Sequence, residues 1–565
     1  MGFTLKQSSL LLPFLSTLYA VGAHAQKPEY DIIVVGAGAG GIVAATKFAE
    51  SGLKTLLLER GGPMLYRDGN REIPQWSLEE YPDNQITRHD SMAYYTSNYP
   101  GSPNASSYYC SGLPNVLAAC MLGGGTSVNA EQQFWPPRHY LDTAFGFEGW
   151  TSDDFQPAIK RVAARIAPTP YWSSDNKFYY DEVYHIMGDA LKGIGMQEVN
   201  TTANGDAKYN TYGRDVYAAK DGLRGGPLVG YLPDAKKLSS FTLKMYSTVE
   251  SLERTGGTIT GVKVNGTTIT AKTVVLSAGV WNTPALLFAS GIGPKSVLTT
   301  ALATNVTSYA EKDWIINDGV GVNLHDNPQA NLALTYNDTS ALPFFSLSGA
   351  LTGVNMNKAD KDNLFYHAAG PLTGVGRQLV GWITVNDTDT TTQMTVQTIC
   401  STPTAVNGSF MCQFNLNEGA LSRGSIVLNS AGSLQYGAGV GPWLTNDLDV
   451  KMFALALQRF MDATASYPGL TVTTLPVGDL TSYETYLKAH ASVSNNHWGG
   501  SCTIGTSNGS AGGTHCTDIN AKVYGTENLY VIDGSLSPAP TTSNPSFLYE
   551  TLAEMATEKI IKLLK

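Results

Sequence analysis

The first regular feature of the hydrophobic pattern is the largely β-branched run at 30–35, which predicts a buried parallel strand. Six small residues at 36–41, four of them glycine, end this run, and apolar residues then recur at helical spacing through 42–49. A second apolar run at 55–58 predicts another strand, which stops at the acidic Glu59. The pattern therefore predicts a strand, a glycine turn, a helix and a strand, as in a Rossmann-like α/β unit.

Later stretches repeat parts of this pattern. Apolar runs at 273–278 and 528–532 predict two more buried strands. The first is followed by Gly279 and the second by Asp533-Gly534, and the stretch 246–249 is strand-like. Near the C-terminus, apolar residues recur at helical spacing through 548–563, just after Pro545. This last stretch predicts an amphipathic helix that packs on the core.

The glycine turn has the spacing of a dinucleotide-binding motif. Gly36 allows a tight turn, Gly38 lets the backbone approach a pyrophosphate, and Gly41 lets the helix pack closely on the strand. The free N–H groups at the start of the helix attract phosphate. Glu59 lies 18 residues after Gly41 (59 − 41), where an acid accepts hydrogen bonds from ribose hydroxyls. The turn predicts a dinucleotide cofactor but does not separate NAD from FAD.

Length and charge limit the number of domains and the class of binding partner. The 565 residues predict at least two domains. Acidic residues number 47 against 37 basic ones, which gives a formal net charge of −10, and there is no run rich in Lys and Arg. We therefore expect no nucleic-acid partner.

The N-terminus predicts a secretory signal peptide at 1–25. Lys6 precedes an apolar run at 10–21 that is too short to span a membrane, and Ala23-His24-Ala25 forms a small-x-small cleavage site. No later segment predicts a transmembrane helix. We therefore expect a secreted, extracellular protein with no membrane partner.

The cysteines and the N-glycosylation sequons are also typical of a secreted protein. The six cysteines form three sequence-local pairs, so the simple interpretation is three disulfides, although the sequence leaves their connectivity open: Cys110–Cys120, Cys400–Cys412 and Cys502–Cys516. The cysteine spacing does not fit a metal site, and we expect no metal. Asn-x-Ser/Thr sequons predict an N-glycosylated surface at eight positions: Asn104, Asn200, Asn265, Asn305, Asn337, Asn386, Asn407 and Asn508.

Several ordered motifs resemble the glucose–methanol–choline oxidoreductase family over nearly the whole chain after the signal peptide. They are the glycine turn, GGGTSVN at 123–129, Thr283-Pro284 with 290–293, the stretch 320–328, 422–424, and a His/Asn pair near the C-terminus. Within that family, 494–498 and 321–328 look most like the flavin domain of fungal cellobiose dehydrogenases. Because the flavin motifs begin directly after the predicted signal peptide, we expect no haem domain.

The resemblance implies an FAD-binding Rossmann-like α/β domain and an α+β substrate domain with an antiparallel sheet. The FAD domain would comprise 28–150, 222–330 and 490–565, and the substrate domain 151–221 and 331–489. FAD would be held by Gly36, Gly38, Gly41, Glu59, Gly124, Thr126, Asn129, Val249, Asp533 and Gly534. Some relatives attach FAD through a histidine near the GGG loop, but 121–135 contain none, so we expect FAD to be non-covalent.

The resemblance also implies that His497 is the catalytic base and Asn544 its partner. Alcohol oxidation needs a base for the hydroxyl proton, and the pKa of His suits that task. The residue types alone leave another role open for Asn544, because it precedes Pro545 and Asn is a favoured helix N-cap.

Three further residues are candidates for substrate contact. Asn496 adjoins the predicted base, Trp135 could stack on a sugar or aryl ring, and Arg423 could contact a carbohydrate. Core packing is the alternative for Trp135, and a structural turn is the favoured alternative for Arg423.

The sequence thus predicts an FAD-dependent enzyme that removes a hydride from a CH–OH group of a sugar, an oligosaccharide or another small alcohol. The alternatives are an aryl or primary alcohol oxidase or dehydrogenase of secondary metabolism, and a non-redox FAD-containing lyase or cyclase on the same fold. No motif identifies the electron acceptor, which could be O2 or a quinone.

Overall fold

The computed structural model describes residue 1 and residues 28–98, 108–114, 116–345, 352–354, 356–403, 405–491 and 495–565. The predicted signal peptide, apart from Met1, and the sequon at Asn104 lie outside the described residues.

The strands of the described chain belong to two large sheets and two small ribbons. In chain order they are β1 (Tyr30–Val35), β2 (Thr55–Leu58), β3 (Gln197–Glu198), β4 (Thr211–Arg214), β5 (Phe241–Lys244), β6 (Val249–Thr255), β7 (Thr258–Val264), β8 (Thr267–Leu276), β9 (Ile292–Gly293), β10 (Ile315–Ile316), β11 (Gln329–Tyr336), β12 (Arg377–Asn386), β13 (Gln393–Ser401), β14 (Ser409–Leu416), β15 (Ile426–Leu428), β16 (Leu434–Tyr436), β17 (Leu470–Val472) and β18 (Leu529–Val531).

The α-helices surround these sheets. In chain order they are α1 (Ala39–Glu50), α2 (Gln75–Glu80), α3 (Arg138–Ala144), α4 (Ser152–Arg165), α5 (Glu182–Gly193), α6 (Pro227–Gly230), α7 (Leu232–Ala235), α8 (Gly279–Ala289), α9 (Lys295–Ala303), α10 (Lys358–His367), α11 (Asp447–Ser466), α12 (Leu480–His490) and α13 (Ser546–Leu564).

The first sheet contains the strands that the hydrophobic pattern predicts. Strands β5, β2, β1 and β8 pair in parallel in that order, and β18 pairs in parallel with the other edge of β8. β7 and β6 extend the sheet in antiparallel fashion from the first half of β8. Because β1 and β2 are covered on both faces, their side chains are apolar without alternation, as in other parallel sheets.

Helix α1 lies against β1 so closely that Gly41 is required. A Cβ atom added at Gly41 would lie 1.9 Å from the carbonyl oxygen of Gly36, which is far inside van der Waals contact. The predicted role of Gly41 in helix–strand packing is therefore visible in the backbone itself.

The second sheet has the order β17-β11-β14-β13-β12-β4-β3 and is antiparallel except for the short β3–β4 pair. Helices α5 and α11 cover it, with the apolar sides of both helices in the same core as the inner faces of the strands. An FAD-type α/β sheet beside an antiparallel sheet is the fold class that the sequence predicts.

The division of the chain between the two cores alternates along the sequence. The first sheet contains the strands of residues 30–276, except β3 and β4, together with β18. The second sheet contains β3, β4, β17 and the strands of residues 329–416. The ribbon of β15 and β16, which the predicted boundaries assign to the substrate domain, packs on the core of the first sheet through Ile426 and Leu428. The domain boundaries themselves stay a prediction.

One strand prediction needs correction. The strand-like stretch 246–249 is not a strand before Val249, because Tyr246 adopts a left-handed φ of 54° and is exposed. The chain therefore turns here, and only Val249 enters β6.

The three predicted disulfides are confirmed: Cys110–Cys120, Cys400–Cys412 and Cys502–Cys516. The described helices include none with the length and apolar character needed to cross a bilayer.

Candidate active site

A cavity of about 550 Å³ lies where the carboxyl ends of β1 and β8 meet the second sheet. This volume is in the usual range for ligand sites, and the carboxyl edge of a parallel sheet is the usual place for them. One end of the cavity is lined by the glycine turn, Glu59 and Val249, and the other by residues of the second sheet together with His497 and Asn544.

At the first end, Glu59 is bound to the backbone of its own turn. Its carboxylate accepts hydrogen bonds from the N–H of Ala37 (2.9 Å) and of Gly61 (2.8 Å). Burial raises the pKa of Glu59, and these two hydrogen bonds oppose the rise. Glu59 therefore holds the glycine turn in shape while it lines the cavity.

The GGG loop forms the cavity wall opposite the glycine turn. Gly124 lies so near Gly38 that an added Cβ would be 2.9 Å from the Cα of Gly38. Thr126 donates to the carbonyl of Gly123 (2.8 Å), and Asn129 lies 3.4 Å from the hydroxyl of Ser546, at the start of α13. The loop therefore connects the glycine turn to the C-terminal helix along the cavity.

Asp533, at the end of β18, ties two elements together. Its carboxylate accepts from the N–H of Gly279 (2.9 Å), the hydroxyl of Thr283 (2.6 Å) and the N–H of Ser535 (2.8 Å). The start of α8 is thereby fixed to the segment that carries Gly534, and both Asp533 and Gly534 line the cavity.

These residues fit the pyrophosphate of a dinucleotide cofactor such as FAD. A Cβ atom added at Gly38, Gly125 or Gly279 would meet no protein atom within 4 Å, so the backbone at these positions faces open cavity space. Gly38 immediately precedes α1, whose first N–H groups face the same space. Nine of the ten predicted cofactor contacts line the cavity, and Gly41 is the exception.

At the other end, the predicted catalytic pair is in contact. Asn544 Nδ2 lies 3.0 Å from Nε2 of His497, although 47 residues separate them in the chain. Helix α13 begins at Ser546, and Pro545 occupies the N-cap position without a side-chain cap. Asn544 is therefore not the helix cap that its sequence context permits, and its carboxamide is available to the pair.

Two glutamines fix the orientation of the Asn544 carboxamide. Gln397 donates to Asn544 Oδ1 (3.0 Å), and Asn544 Nδ2 donates to Gln132 Oε1 (3.1 Å). Gln132 in turn donates to the buried carboxylate of Asp215 (2.6 Å), and Arg377 donates to the same Gln132 oxygen. Because Arg377 can only donate, Gln132 must present its oxygen to Asn544, which then presents its N–H groups to His497.

The opposite side of the His497 ring is fixed by Asn327. Asn327 Nδ2 donates to the carbonyl of Leu416 (2.9 Å), so its Oδ1, 3.0 Å from His497 Nδ1, must accept the ring N–H. Asn495 Nδ2 also lies 3.0 Å from Nδ1, while Asn495 Oδ1 accepts from Gln413 Nε2 (3.1 Å). The tautomer is set by Asn327, whose amide is oriented by Leu416, and by Asn544, which donates to Nε2. The proton is therefore on Nδ1, and Nε2 carries the lone pair that a base needs.

The ring of His497 is uncharged at ordinary pH. Burial, followed by the positive charge of Arg377, lowers the pKa of His497 to about 3. The backbone N–H of His497 donates to Asp326 Oδ1 (2.7 Å), which anchors the residue from behind. An uncharged, oriented imidazole facing a cavity can accept a proton from a bound hydroxyl.

Most of the residues that surround this pair are not predicted from the sequence. The lining at this end includes Tyr95, Tyr109, Gln132, Gln329, Arg377, Gln413 and Asn495. The motif at 320–328 was recognised without a role for Asn327. The sequence around Arg377 does not mark it as a cavity residue. Nearly every residue of β12 is buried, so the strand lacks the alternation of polar and apolar residues that would identify its cavity-facing side.

Asn496, a predicted substrate contact, does line the cavity. Its Oδ1 accepts from the N–H of Leu117 (3.1 Å) and from Nε1 of Trp498 (3.3 Å). Its carboxamide oxygen thus holds the wall around 116–120 in place.

Two other predicted substrate contacts lie outside the cavity lining, which corrects that expectation. Trp135 stacks on Phe547 with ring centroids 5.8 Å apart. Arg423 donates to Asn323 Oδ1 (3.0 Å) and to the carbonyl of Ala420 (2.8 Å). Both side chains are engaged in packing or in a turn, in agreement with the structural alternatives.

Comparison with known proteins gives matches over most of the chain. A family model described as GMC oxidoreductase matches residues 30–329, and a second model of the same description matches residues 420–553. The chain is 26% identical to the oxidoreductase cicC of Emericella nidulans, over 94% of each chain, and 25% identical to an oxygen-dependent choline dehydrogenase of Pseudomonas fluorescens, also over 94% of each. A solved structure of formate oxidase from Aspergillus oryzae, whose subject is FAD modification, superposes with a TM-score of 0.73 at 17% identity, over 95% of this chain and 98% of that one.

Proposed function

Because the chain belongs to the GMC oxidoreductase family, we propose that it oxidises a polyhydroxylated alcohol such as a sugar or oligosaccharide, with His497 as the base. The coarser activity follows from the family: the protein is an FAD-dependent oxidoreductase of alcohols. Bound FAD supplies the acceptor for the hydride of the CH–OH carbon. Gly38, Glu59 and Asp533, with the GGG loop, would hold it.

The role of the catalytic pair follows from its hydrogen bonds. His497 Nε2 takes the substrate's hydroxyl proton, because Asn327 keeps the other ring proton on Nδ1. Gln132 and Gln397 hold the Asn544 carboxamide beside His497 Nε2, to which it donates in the free site. When an alcohol oxygen lies at Nε2, the same Asn544 N–H would donate to that oxygen and stabilise the negative charge that develops there.

The observation that carries the substrate proposal is the concentration of carboxamides around the pair. Six of them line this end of the cavity: Gln132, Gln329, Gln413, Asn495, Asn496 and Asn544. Carboxamides both donate and accept hydrogen bonds, as the hydroxyls of a sugar do. The acidic side chains of the described lining, Glu59, Glu250 and Asp533, all belong to the cofactor end. A quaternary ammonium such as choline would therefore find no carboxylate among the described lining residues at the His497 end.

An aryl or primary alcohol is the second candidate. Tyr95, Tyr109, Trp281 and Trp498 also line the cavity and could stack on a flat ring. The resemblance of 494–498 to cellobiose dehydrogenases supports the sugar.

Anaerobic stopped-flow reduction of the flavin tests the proposal. Cellobiose and D-glucose are expected to bleach the flavin faster than benzyl alcohol or choline. His497→Asn should slow reduction by about 10² to 10⁴, the usual contribution of general base catalysis, whereas His185→Asn, on an exposed part of α5, should leave it unchanged. Faster reduction by benzyl alcohol would favour the second candidate, and no reduction by any alcohol would contradict oxidation altogether. Reoxidation with O2 and with a quinone then identifies the acceptor.

We also propose that FAD is non-covalent. Among the described lining residues the only histidine is His497, and the only cysteine is Cys120, which is bonded to Cys110. Precipitating the denatured protein should leave the flavin in the supernatant, and flavin that stays with the protein would contradict the proposal.

Secretion and N-glycosylation complete the proposal. All seven sequon asparagines in the described residues are exposed: Asn200, Asn265, Asn305, Asn337, Asn386, Asn407 and Asn508. Expression in a fungal host should give extracellular protein whose electrophoretic mobility increases after endoglycosidase treatment, and protein retained in the cell without glycans would contradict it.

A further inference from the structure

The GGG loop lies against a buried ion pair that the predicted cofactor contacts do not include. Arg224 Nη1 lies 3.0 Å from Glu131 Oε1, and the two side chains are 0% and 1% exposed. Neither residue belongs to the described cavity lining, whereas 124–126 and 128–130 do. Because the free-energy cost of burying two charges can exceed what their attraction returns, stability alone is a weak explanation for this pair.

Arg224 holds the backbone of the loop from outside the cavity. Its Nη1 group also donates to the carbonyl oxygens of Thr126 (3.0 Å) and Asn129 (2.9 Å). Both oxygens are therefore directed toward a positive charge behind the lining. If they faced the cavity instead, their partial negative charge would repel the phosphates of a dinucleotide.

The same guanidinium determines which end of the Asn129 carboxamide faces the cavity. Asn129 Oδ1 accepts from the N–H of Glu131 (3.0 Å) and from Arg224 Nη1 (3.3 Å), and both of these groups can only donate. The other end, Nδ2, lies 3.4 Å from the hydroxyl of Ser546. Because Asn129 and Ser546 both line the cavity, Asn129 offers N–H donors to a cofactor there.

Glu131 has an unusual backbone conformation that its contacts maintain. Its φ of 58° is left-handed, which is uncommon for residues other than glycine and must be held by the surrounding structure. Its second carboxylate oxygen accepts from the N–H of Gly225 (3.1 Å), and its carbonyl accepts from the N–H of Ala218 (2.8 Å). The ion pair therefore connects the GGG loop to the segment 218–225.

We propose that Arg224 and Glu131 are positioning residues for the cofactor, whose ion pair holds the GGG loop in its FAD-binding shape before FAD arrives, with the Asn129 N–H groups toward the cavity. A loop that is already ordered loses less conformational entropy on binding, so the pair raises the affinity for FAD. This inference rests on the proposed function only for the place of FAD beside the GGG loop, and it is independent of the substrate.

A charge-neutral double variant tests the proposal in the apoprotein. Arg224→Met combined with Glu131→Gln removes both charges together, so no buried charge is left without its partner, and the new carboxamide keeps an acceptor for Gly225. Amide hydrogen exchange of 123–131 in the apoprotein should become at least about 10-fold faster than in the wild type. Titration with FAD should show an affinity about 10- to 100-fold lower, the effect of losing a charge-assisted hydrogen bond.

Two further variants separate positioning from general stability. Arg224→Lys keeps a charge beside Glu131 but cannot reproduce all the contacts of the guanidinium, so an intermediate loss of FAD affinity is expected. Lys451→Met removes the partner of the buried Asp387 carboxylate on the far sheet, where α11 covers it. This control should lower the thermal midpoint of the apoprotein but leave FAD affinity and the exchange of 123–131 at their wild-type values.

Several results would overturn the inference. One is a folded double variant with wild-type FAD affinity, and another is fast exchange of 123–131 in the wild-type apoprotein, because the loop would then not be ordered in advance. An equal loss of FAD affinity in Lys451→Met would assign the effect to stability in general. Failure of the sugar proposal leaves these measurements unaffected, since no substrate enters them. If FAD proves covalent, the exchange of 123–131 in protein expressed under flavin limitation decides the inference by itself.

Discussion

Two glycines of the same turn, three residues apart, should fail in different ways when changed to alanine. Gly38 has φ −78° and ψ −170°, which alanine adopts without strain, and an added Cβ meets no protein atom within 4 Å. Gly41 is already helical, but its Cβ would lie 1.9 Å from the carbonyl oxygen of Gly36. The first substitution therefore changes only the cavity, and the second forces the helix away from the sheet.

The magnitudes follow from this geometry. For Gly38→Ala, a less favourable helix cap costs about 1 kcal/mol of folding free energy, and the stiffer unfolded chain offsets about 0.4–1 kcal/mol, so the stability of the apoprotein should hardly change. The new methyl group lies where the cofactor's pyrophosphate approaches, and overpacking of about 1–3 kcal/mol weakens FAD binding by about 5- to 150-fold. For Gly41→Ala, two backbone segments clash and no side-chain rotation relieves the clash, so the loss of folding free energy should exceed about 3 kcal/mol, the upper end of ordinary overpacking.

Thermal unfolding of the apoprotein and calorimetric titration with FAD separate the two effects. Gly38→Ala should keep the apoprotein midpoint and lose FAD affinity, so that added FAD raises its midpoint less than it does in the wild type. Gly41→Ala should lower the apoprotein midpoint or fail to fold. Gly38→Ala protein with wild-type FAD affinity, or Gly41→Ala protein with wild-type stability, would refute the assignment of this turn.

Three further predictions concern ionisable groups. Asn544→Asp should slow flavin reduction by about 100-fold or more, because a carboxylate cannot donate to His497 and instead favours its protonation; an unchanged stopped-flow rate would contradict the role of Asn544. The acid limb of kcat/KM that belongs to His497 should lie near pH 3 rather than near the ordinary value, because burial and Arg377 lower the pKa of His497 to about 3; a limb near pH 6.5 in the pH–rate profile would count against this. Burial raises the pKa of Glu550 to about 8, so the folded state holds one more proton than the unfolded state between the ordinary pKa and pH 8, and stability falls as pH rises through that window. Glu550→Gln should remove up to about 1.4 kcal/mol per pH unit of that fall. The free energy of unfolding, measured with denaturant at pH 5 and at pH 8, should therefore fall less in the variant than in the wild type, and an equal fall in both would disprove the prediction.

The cofactor end of the site could be predicted from sequence because its chemistry is local. The glycine turn, Glu59 and the strand before Asp533 each occupy short, continuous segments whose spacing has one physical explanation. The disulfides were predictable for a similar reason, since each joins cysteines that are neighbours in the sequence.

The substrate end could be predicted only in part, because its residues meet through tertiary contacts. Gln132, Arg377 and Gln397 come from distant parts of the chain, and their cavity positions depend on the register of β12 and β13, which the sequence does not reveal. Both strands are buried along most of their length, so polar side chains at the cavity interrupt apolar runs without a regular period. Asn544 shows the opposite case, in which a local pattern is misleading. Its sequence context is typical of a helix N-cap, but the helix begins two residues later, at Ser546.

The position of β18 has a consequence for how the protein is made. Residues 529–531 pair with β8, some 250 residues earlier in the chain, and the segment after them carries Asp533 and Asn544. A ribosome must therefore synthesise nearly the whole polypeptide before the nucleotide-binding half can acquire its last strand, and contacts this distant in sequence form slowly. The nascent chain must therefore wait with one side of β8 uncovered, an open strand edge that can pair with other chains until residues 529–531 have been made.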